Sequence, residues 1–275
     1  MGNSGILPDN VKRASSPRFR AGKMPTLRGQ AGSLCYSALC FTIEIMRRLP
    51  FITFEGSEGC GKSTQVQRLA GHLDRLGISY LLTREPGSTP IGETIRELLQ
   101  FAPHNSSMTP ETELLLFEAS RSQLVRETIK PAIERGACVI ADRFFDSTTV
   151  YQGAARNLDS EMVERLNAFA VADCVPDITF VLDVDAATAE SRMQKPRRSD
   201  RMEQEPAEFY ERVRRGYRDL AEREPNRVVL IDGSADPDEI ENQIWKILSS
   251  RFSAVTGNPQ SGKIARPAPV PDPKI

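Results

Sequence analysis

The chain has 275 residues, 39% of them hydrophobic and 27% charged, enough for one domain with a full core and length left over for tails. A formal net charge of −1 argues against a protein whose main business is coating nucleic acid, although a local basic groove for a small phosphate ligand is compatible with it. Five cysteines, Cys35, Cys40, Cys60, Cys138 and Cys174, include no CxxC pair, so neither a disulfide framework nor a zinc site is suggested and a reducing, cytoplasmic setting is expected.

Residues 1–45 carry Lys12, Arg13, Arg18, Arg20, Lys23 and Arg28 among many Ser, Gly and Pro and almost no acid, a composition shared with targeting peptides. The apolar run from Leu34 to Ile45 contains Glu44 and is too short to span a bilayer, so no membrane partner is expected. Met46 opens a globular pattern. The segment before it reads as a disordered tail or as spurious upstream sequence, residues 46–252 as the domain, and 253–275 as a disordered Pro-rich tail.

Within the domain, Phe51 to Phe54 reads as a short buried strand, and Gln65 to Leu76 as a helix with Val66, Leu69, Leu73 and Leu76 at helical spacing. Between them lies Gly-Ser-Glu-Gly-Cys-Gly-Lys-Ser, a GxxxxGK[ST] phosphate-binding loop in its required setting. Its backbone, from Gly56 through Ser57, Glu58, Gly59, Cys60 and Gly61 to Lys62, Ser63 and Thr64, is suited to wrap a nucleoside triphosphate. Lys62 would reach the transferable phosphates and the Ser63 hydroxyl a Mg2+ ion. A second match, Gly257 to Lys263, is followed by Ile264 and flanked by neither strand nor helix, and is rejected.

Further strands are expected at Ser79 to Thr83, Ala137 to Ala141, Ile178 to Val184 and Val228 to Ile231. Helices are expected at Ile91 to Leu99, Pro110 to Arg135 with a break near Pro131, Asp146 to Gly153, Glu161 to Val171, Glu208 to Arg223 and Glu239 to Phe252. This βα alternation predicts an α/β fold with a parallel sheet covered on both faces and ligands at the carboxyl ends of its strands. Asp142, at the end of one strand, is a candidate for holding Mg2+ through water, and the fork of Arg143 suits a phosphate. Arg84 ends another strand, with Glu85 beside it as its expected orienting partner. Phe117 and Arg121, four apart on the long helix, face the same way, as stacking on a base and bonding its edge would require. By composition alone, Leu114 to Phe117 reads more readily as core. The segment from Arg192 to Arg201, with Arg197 and Arg198 at its centre, is suited to form a basic lid.

Taken together, the phosphate loop, Thr83-Arg-Glu-Pro-Gly, Leu116-Phe-Glu-Ala-Ser-Arg-Ser-Gln, Asp142-Arg-Phe-Phe-Asp-Ser-Thr-Thr-Val-Tyr-Gln-Gly and Asp200-Arg-Met-Glu closely resemble the bacterial thymidylate kinases over residues 49–252. The resemblance implies a P-loop nucleoside monophosphate kinase fold that transfers the ATP γ-phosphoryl group to dTMP with Mg2+. By the same resemblance, Glu58 would approach the deoxyribose, Arg84 and Arg143 the acceptor phosphate, Phe117 the thymine face and Arg121 its edge. Ser147, Thr148, Tyr151 and Gln152 would form the acceptor-side helix, and Arg192, Arg197 and Arg198 would supply lid charge near the transferring group. A homodimer is implied too. The rival readings are a kinase for another small acceptor on the same fold and, from a different class, a nucleotide-binding switch. No Asn-Lys-x-Asp guanine motif supports the switch.

Overall fold

The computed structural model describes residues 48–103, 105–192, 201–202 and 205–256. Five parallel strands form one sheet: β1 (Phe51–Glu55), β2 (Tyr80–Arg84), β3 (Cys138–Asp142), β4 (Ile178–Asp183) and β5 (Val228–Asp232), in the order β2-β3-β1-β4-β5. All five lie where the sequence pattern puts them, to within a residue or two at either end. The runs are almost continuously apolar because helices cover both faces, leaving no solvated side to alternate toward.

Register decides what meets at the carboxyl rim. Phe54 and Arg84 both pair with Asp142, Glu55 with Val181, and Asp183 with Asp232. Charged residues that end all five strands are thereby brought to one edge of the sheet, where an α/β fold binds its ligands.

The helices are α1 (Lys62–Arg75), α2 (Pro90–Phe101), α3 (Pro110–Leu124), α4 (Lys130–Glu134), α5 (Phe145–Thr148), α6 (Ser160–Val171), α7 (Ala186–Arg192), α8 (Ala207–Arg223) and α9 (Pro237–Arg251). Ile52, Phe54 and Phe180 pack against Leu69 and Leu73 of α1 and Ile244 of α9 on one face. Phe51 and Val139 meet Leu124 and Phe144 on the other, where Val181 also meets Phe209 and Val213 of α8. Thr89 and Thr109 cap α2 and α3 by accepting from Gly92 N and Thr112 N, each with a proline next in chain.

Two helices depart from the expected pattern. The break near Pro131 is a wider π turn, Val125–Ile129, joining α3 to α4. Pro131 has no N–H to donate four residues back and its ring would crowd that carbonyl, so the chain loosens there and goes on. A second π turn, Thr149–Ala155, continues α5 and carries Tyr151 and Gln152. Among the described residues no helix is long and apolar enough to cross a membrane.

Candidate active site

β1 ends at Glu55 and the chain turns sharply through Gly56, whose φ is 130°. A Cβ there would lie 2.5 Å from Leu182 O and 2.8 Å from Cys60 Sγ, so only glycine lets the loop lie this close to β4. Gly61, at φ 100°, passes the chain into α1, which begins at Lys62 rather than Gln65. No side chain caps this helix, so its first N–H groups face the loop. Lys62 is folded over the loop, donating to Gly56 O at 3.1 Å and Ser57 O at 2.8 Å. Ser63 Oγ donates to Asp142 Oδ2 at 2.8 Å. A hydroxyl oxygen and a carboxylate beside Lys62 are the hard donors that Mg2+ takes from a protein when phosphates and water complete its shell.

Across the cleft, Arg143 adopts φ 69°, a left-handed conformation that costs a non-glycine residue energy, and its N–H is tied to Phe54 O at 2.9 Å. Glu55 secures the next turn, accepting from Phe144 N at 2.8 Å, Ser147 Oγ at 2.6 Å and Tyr217 Oη of α8 at 2.7 Å. The Arg143 guanidinium donates to Glu58 Oε1 at 2.7 Å and lies 5.1 Å from the Tyr151 ring centroid. Tyr151 Oη donates to the other Glu58 oxygen at 3.0 Å. Burial alone would raise the Glu58 carboxyl, but Arg143 and then Lys62 hold it below the usual range. The glycine loop and the segment that carries Arg143 and Tyr151 are thus joined through one ionised carboxylate.

Arg84 takes its orientation from Glu93 of α2, to which it donates at 2.9 Å, and not from Glu85. Glu85 lies just past the end of β2, and its carboxylate turns toward α3. Its Oε2 instead accepts both Nε, at 2.8 Å, and a terminal nitrogen, at 2.5 Å, of Arg121. Arg121 is 1% exposed and also donates to Glu118 at 2.5 Å, Thr148 at 3.0 Å, Asn167 at 3.2 Å and Phe144 O at 3.2 Å. Its N–H groups are all engaged, and it lies behind the cleft lining.

Glu58, Lys62, Ser63, Arg84, Phe117, Asp142, Arg143, Ser147, Thr148, Tyr151 and Gln152 all line one cleft of about 390 Å³. Phe117 is therefore at the cleft, only part-buried, while Leu114 three residues earlier is core and Leu115 is exposed. Arg192 stands apart, its guanidinium donating to Gly233 O at 2.6 Å and Ser234 O at 3.3 Å on the loop after β5. Arg197 and Arg198 lie outside the described residues. Sequence reasoning missed Arg96, Gln100 and Met202, which share the lining. Arg96, in the second turn of α2, reaches back to Pro86, whose carbonyl accepts from Arg96 at 3.0 Å and from Arg84 at 3.3 Å. A basic residue on the first helix after the Arg-Glu-Pro-Gly turn was the available signal.

A phosphate loop on a five-stranded parallel sheet, opposite an arginine-lined acceptor cleft, defines a P-loop nucleoside monophosphate kinase. The thymidylate kinase family model matches residues 54–244. The chain belongs to the thymidylate kinase family. It is 46% identical to a thymidylate kinase of Kosmotoga olearia over 71% of this chain and 93% of that one. It is likewise 46% identical to one from Geobacter sulfurreducens, over 73% of this chain and 97% of that one. The crystal structure of thymidylate kinase from Ehrlichia chaffeensis superposes with a TM-score of 0.60 at 37% identity, covering 74% of this chain and 99% of that chain.

Proposed function

We infer that the protein phosphorylates dTMP to dTDP with ATP as donor, supplying dTTP synthesis in the cytoplasm. The observation that carries this reading is the cleft itself, whose lining joins Lys62 and Ser63 of the glycine loop with Arg143, Phe117, Thr148 and Gln152.

Binding of ATP exchanges the two carbonyls now held by Lys62 for phosphate oxygens, while loop N–H groups and the start of α1 face the polyphosphate. Ser63 and Asp142 would hold Mg2+, which supplies charge neutralisation on the phosphates. Arg84, Arg96 and Arg143 grip the acceptor phosphate, placing its oxygen in line with the donor. Arg143 can do so while Glu58 holds it, because its bonds to the Ser147 and Tyr151 hydroxyls are to neutral acceptors that phosphate oxygens can replace. Phe117 stacks on the base, and Tyr151, fixed by Glu58, crowds the sugar 2′ position against a ribonucleotide. Arg121 serves the base edge from behind. A base O4 would replace Thr148, a neutral acceptor, while the charge-assisted bonds to Glu85 and Glu118 remain. Arg192, Arg197 and Arg198 add positive charge on the donor side, which the loop provides only through Lys62.

The protein also pairs with a second copy. Ile91 and Leu98 on α2, Leu115 on α3, and Met162 and Phe169 on α6 are exposed apolar side chains on helices that pack side by side. A Phe169→Asp substitution should convert a dimer to a monomer in sedimentation velocity. The reaction itself is tested by coupled ADP release. Turnover that requires added dTMP supports the assignment, and turnover with another monophosphate but not dTMP overturns it.

A further inference from the structure

Glu113 lies on α3 with its side chain 1% exposed. Its Oε1 accepts from Gln152 Nε2 at 2.7 Å, Arg156 donates to the two oxygens at 3.3 and 3.2 Å, and Arg201 pairs with it as well. Burial works to protonate this carboxyl, but the Gln152 hydrogen bond, Arg156 and Arg201 outweigh it and hold the group below the usual carboxylate range. An ionised carboxylate only accepts hydrogen bonds, whereas a glutamine amide has one donating end and one accepting end. Gln152 must therefore turn its NH2 group to Glu113, and this leaves the amide oxygen as its polar atom for the cleft it lines.

That polarity matters to a pyrimidine. Thymine and uracil carry a hydrogen on N3, which an amide oxygen accepts; cytosine carries a lone pair there, which the same oxygen repels. With the amide turned over, the preference would reverse.

We propose that Glu113 is a positioning residue for base specificity: by holding the NH2 end of Gln152 it turns the amide oxygen to the base, admitting thymine and uracil and disfavouring cytosine. The proposal rests on the dTMP reading and on Gln152 facing the base. Glu113 touches neither. Because it also collects Arg156 and Arg201, a purely structural role would lower activity toward every acceptor alike, whereas the proposed role changes a ratio.

The test is kcat/KM for dTMP, dUMP and dCMP in wild type and in Glu113→Gln, whose amide can either donate to or accept from Gln152. The ratio of dTMP to dCMP should fall about tenfold or more, because the gap between matched and opposed hydrogen-bonding groups is lost. The ratio of dTMP to dUMP should hold within about twofold, since a methyl group is not read by an amide. Glu113→Asp, which keeps the charge facing Arg156 and Arg201 but withdraws it from Gln152, should show the same narrowing and serves if Glu113→Gln does not fold. In a Gln152→Leu background, adding Glu113→Gln should leave the ratio where it is. An unchanged dTMP-to-dCMP ratio in a folded Glu113 variant, with Gln152→Leu still shifting it, overturns the role of Glu113 alone. If Gln152→Leu leaves the ratio intact too, the placement of Gln152 at the base falls and takes the proposal with it. Loss of dTMP-dependent turnover in the wild type would instead refute the kinase assignment.

Discussion

Ser63 and Asp142 are 79 residues apart in sequence, yet the hydroxyl of one donates to the carboxylate of the other at 2.8 Å. The contact ties the first turn of α1 to the end of β3 and sets two oxygen donors beside Lys62. Replacing Asp142 with Ala removes the charged donor from the rim without touching the core. Turnover should drop on the order of 100-fold, as for loss of a single electrostatic contact to a transition state. Thermal melting should move by no more than about 2 °C, because the side chain is only part-buried. ADP release measured across a Mg2+ titration checks this, and a variant that reaches wild-type turnover at saturating Mg2+ would show that Asp142 does not serve the metal during the reaction.

Lys62→Ala probes the neighbouring position. Among the described residues the ammonium group bonds loop carbonyls and a thiol and no carboxylate, so its removal breaks no ion pair there. A loss on the order of 100-fold or more in turnover is expected from the missing point charge at the transferring phosphoryl group. Single-turnover measurements with a fold check by circular dichroism decide it; near-normal turnover would remove this loop from the reaction.

Local pattern made some of this site legible in the sequence and left the rest hidden. Strand, glycine loop and helix are adjacent in the chain, so their order, and the tight turn at Gly56, could be read directly. Pairings across the sheet could not. That Arg84 belongs to Glu93 and Glu85 to Arg121 follows from what α2 and α3 bring to the end of β2. Helical spacing put Phe117 and Arg121 on one side of α3, whereas Phe117 lines the cleft and Arg121 is buried behind it; the Leu-Leu-Leu-Phe run favoured core because composition does not say where the empty space lies. The same spacing could not foresee that Glu118, Asn167 and Glu85 converge on Arg121. Nor does a sequence announce a π turn; the one carrying Tyr151 and Gln152 reads as ordinary helix ending at Gly153.

Arg121→Met should act on stability and specificity together. It leaves Glu85 and Glu118 buried without their shared cation, a change that costs roughly 3 kcal/mol or more when one partner of a buried ion pair is removed. Urea unfolding at neutral pH measures that loss, and the double variant with Glu85→Gln should recover part of it. In kinetics, the kcat/KM ratio of dTMP to dCMP should narrow by about tenfold, mainly through weaker use of dTMP. An unaltered ratio in the folded variant would confine Arg121 to holding the two carboxylates.

Glu85 offers a prediction in pH. Its Oε2 takes both bonds from Arg121, while Oε1 is buried with no hydrogen-bond partner among the described residues, so a proton can reside there without displacing anything. Burial pushes this carboxyl up from its ordinary 4.5 to about 7, against the pull of Arg121, which lowers it. Between those two pH values the folded chain holds a proton that the unfolded chain has released. Stability contributed by this group is therefore fully present below pH 4.5 and is lost as pH rises through about 7. At 1.36 kcal/mol per pKa unit the loss is on the order of 3 kcal/mol at most. Glu85→Gln, uncharged throughout, should flatten the decline in urea-derived stability between pH 5.5 and 8 relative to wild type, and should be at least as stable as wild type at the upper end. Parallel stability curves for the two proteins would mean that Glu85 is ionised across the whole range and that its bond with Arg121 outweighs its burial.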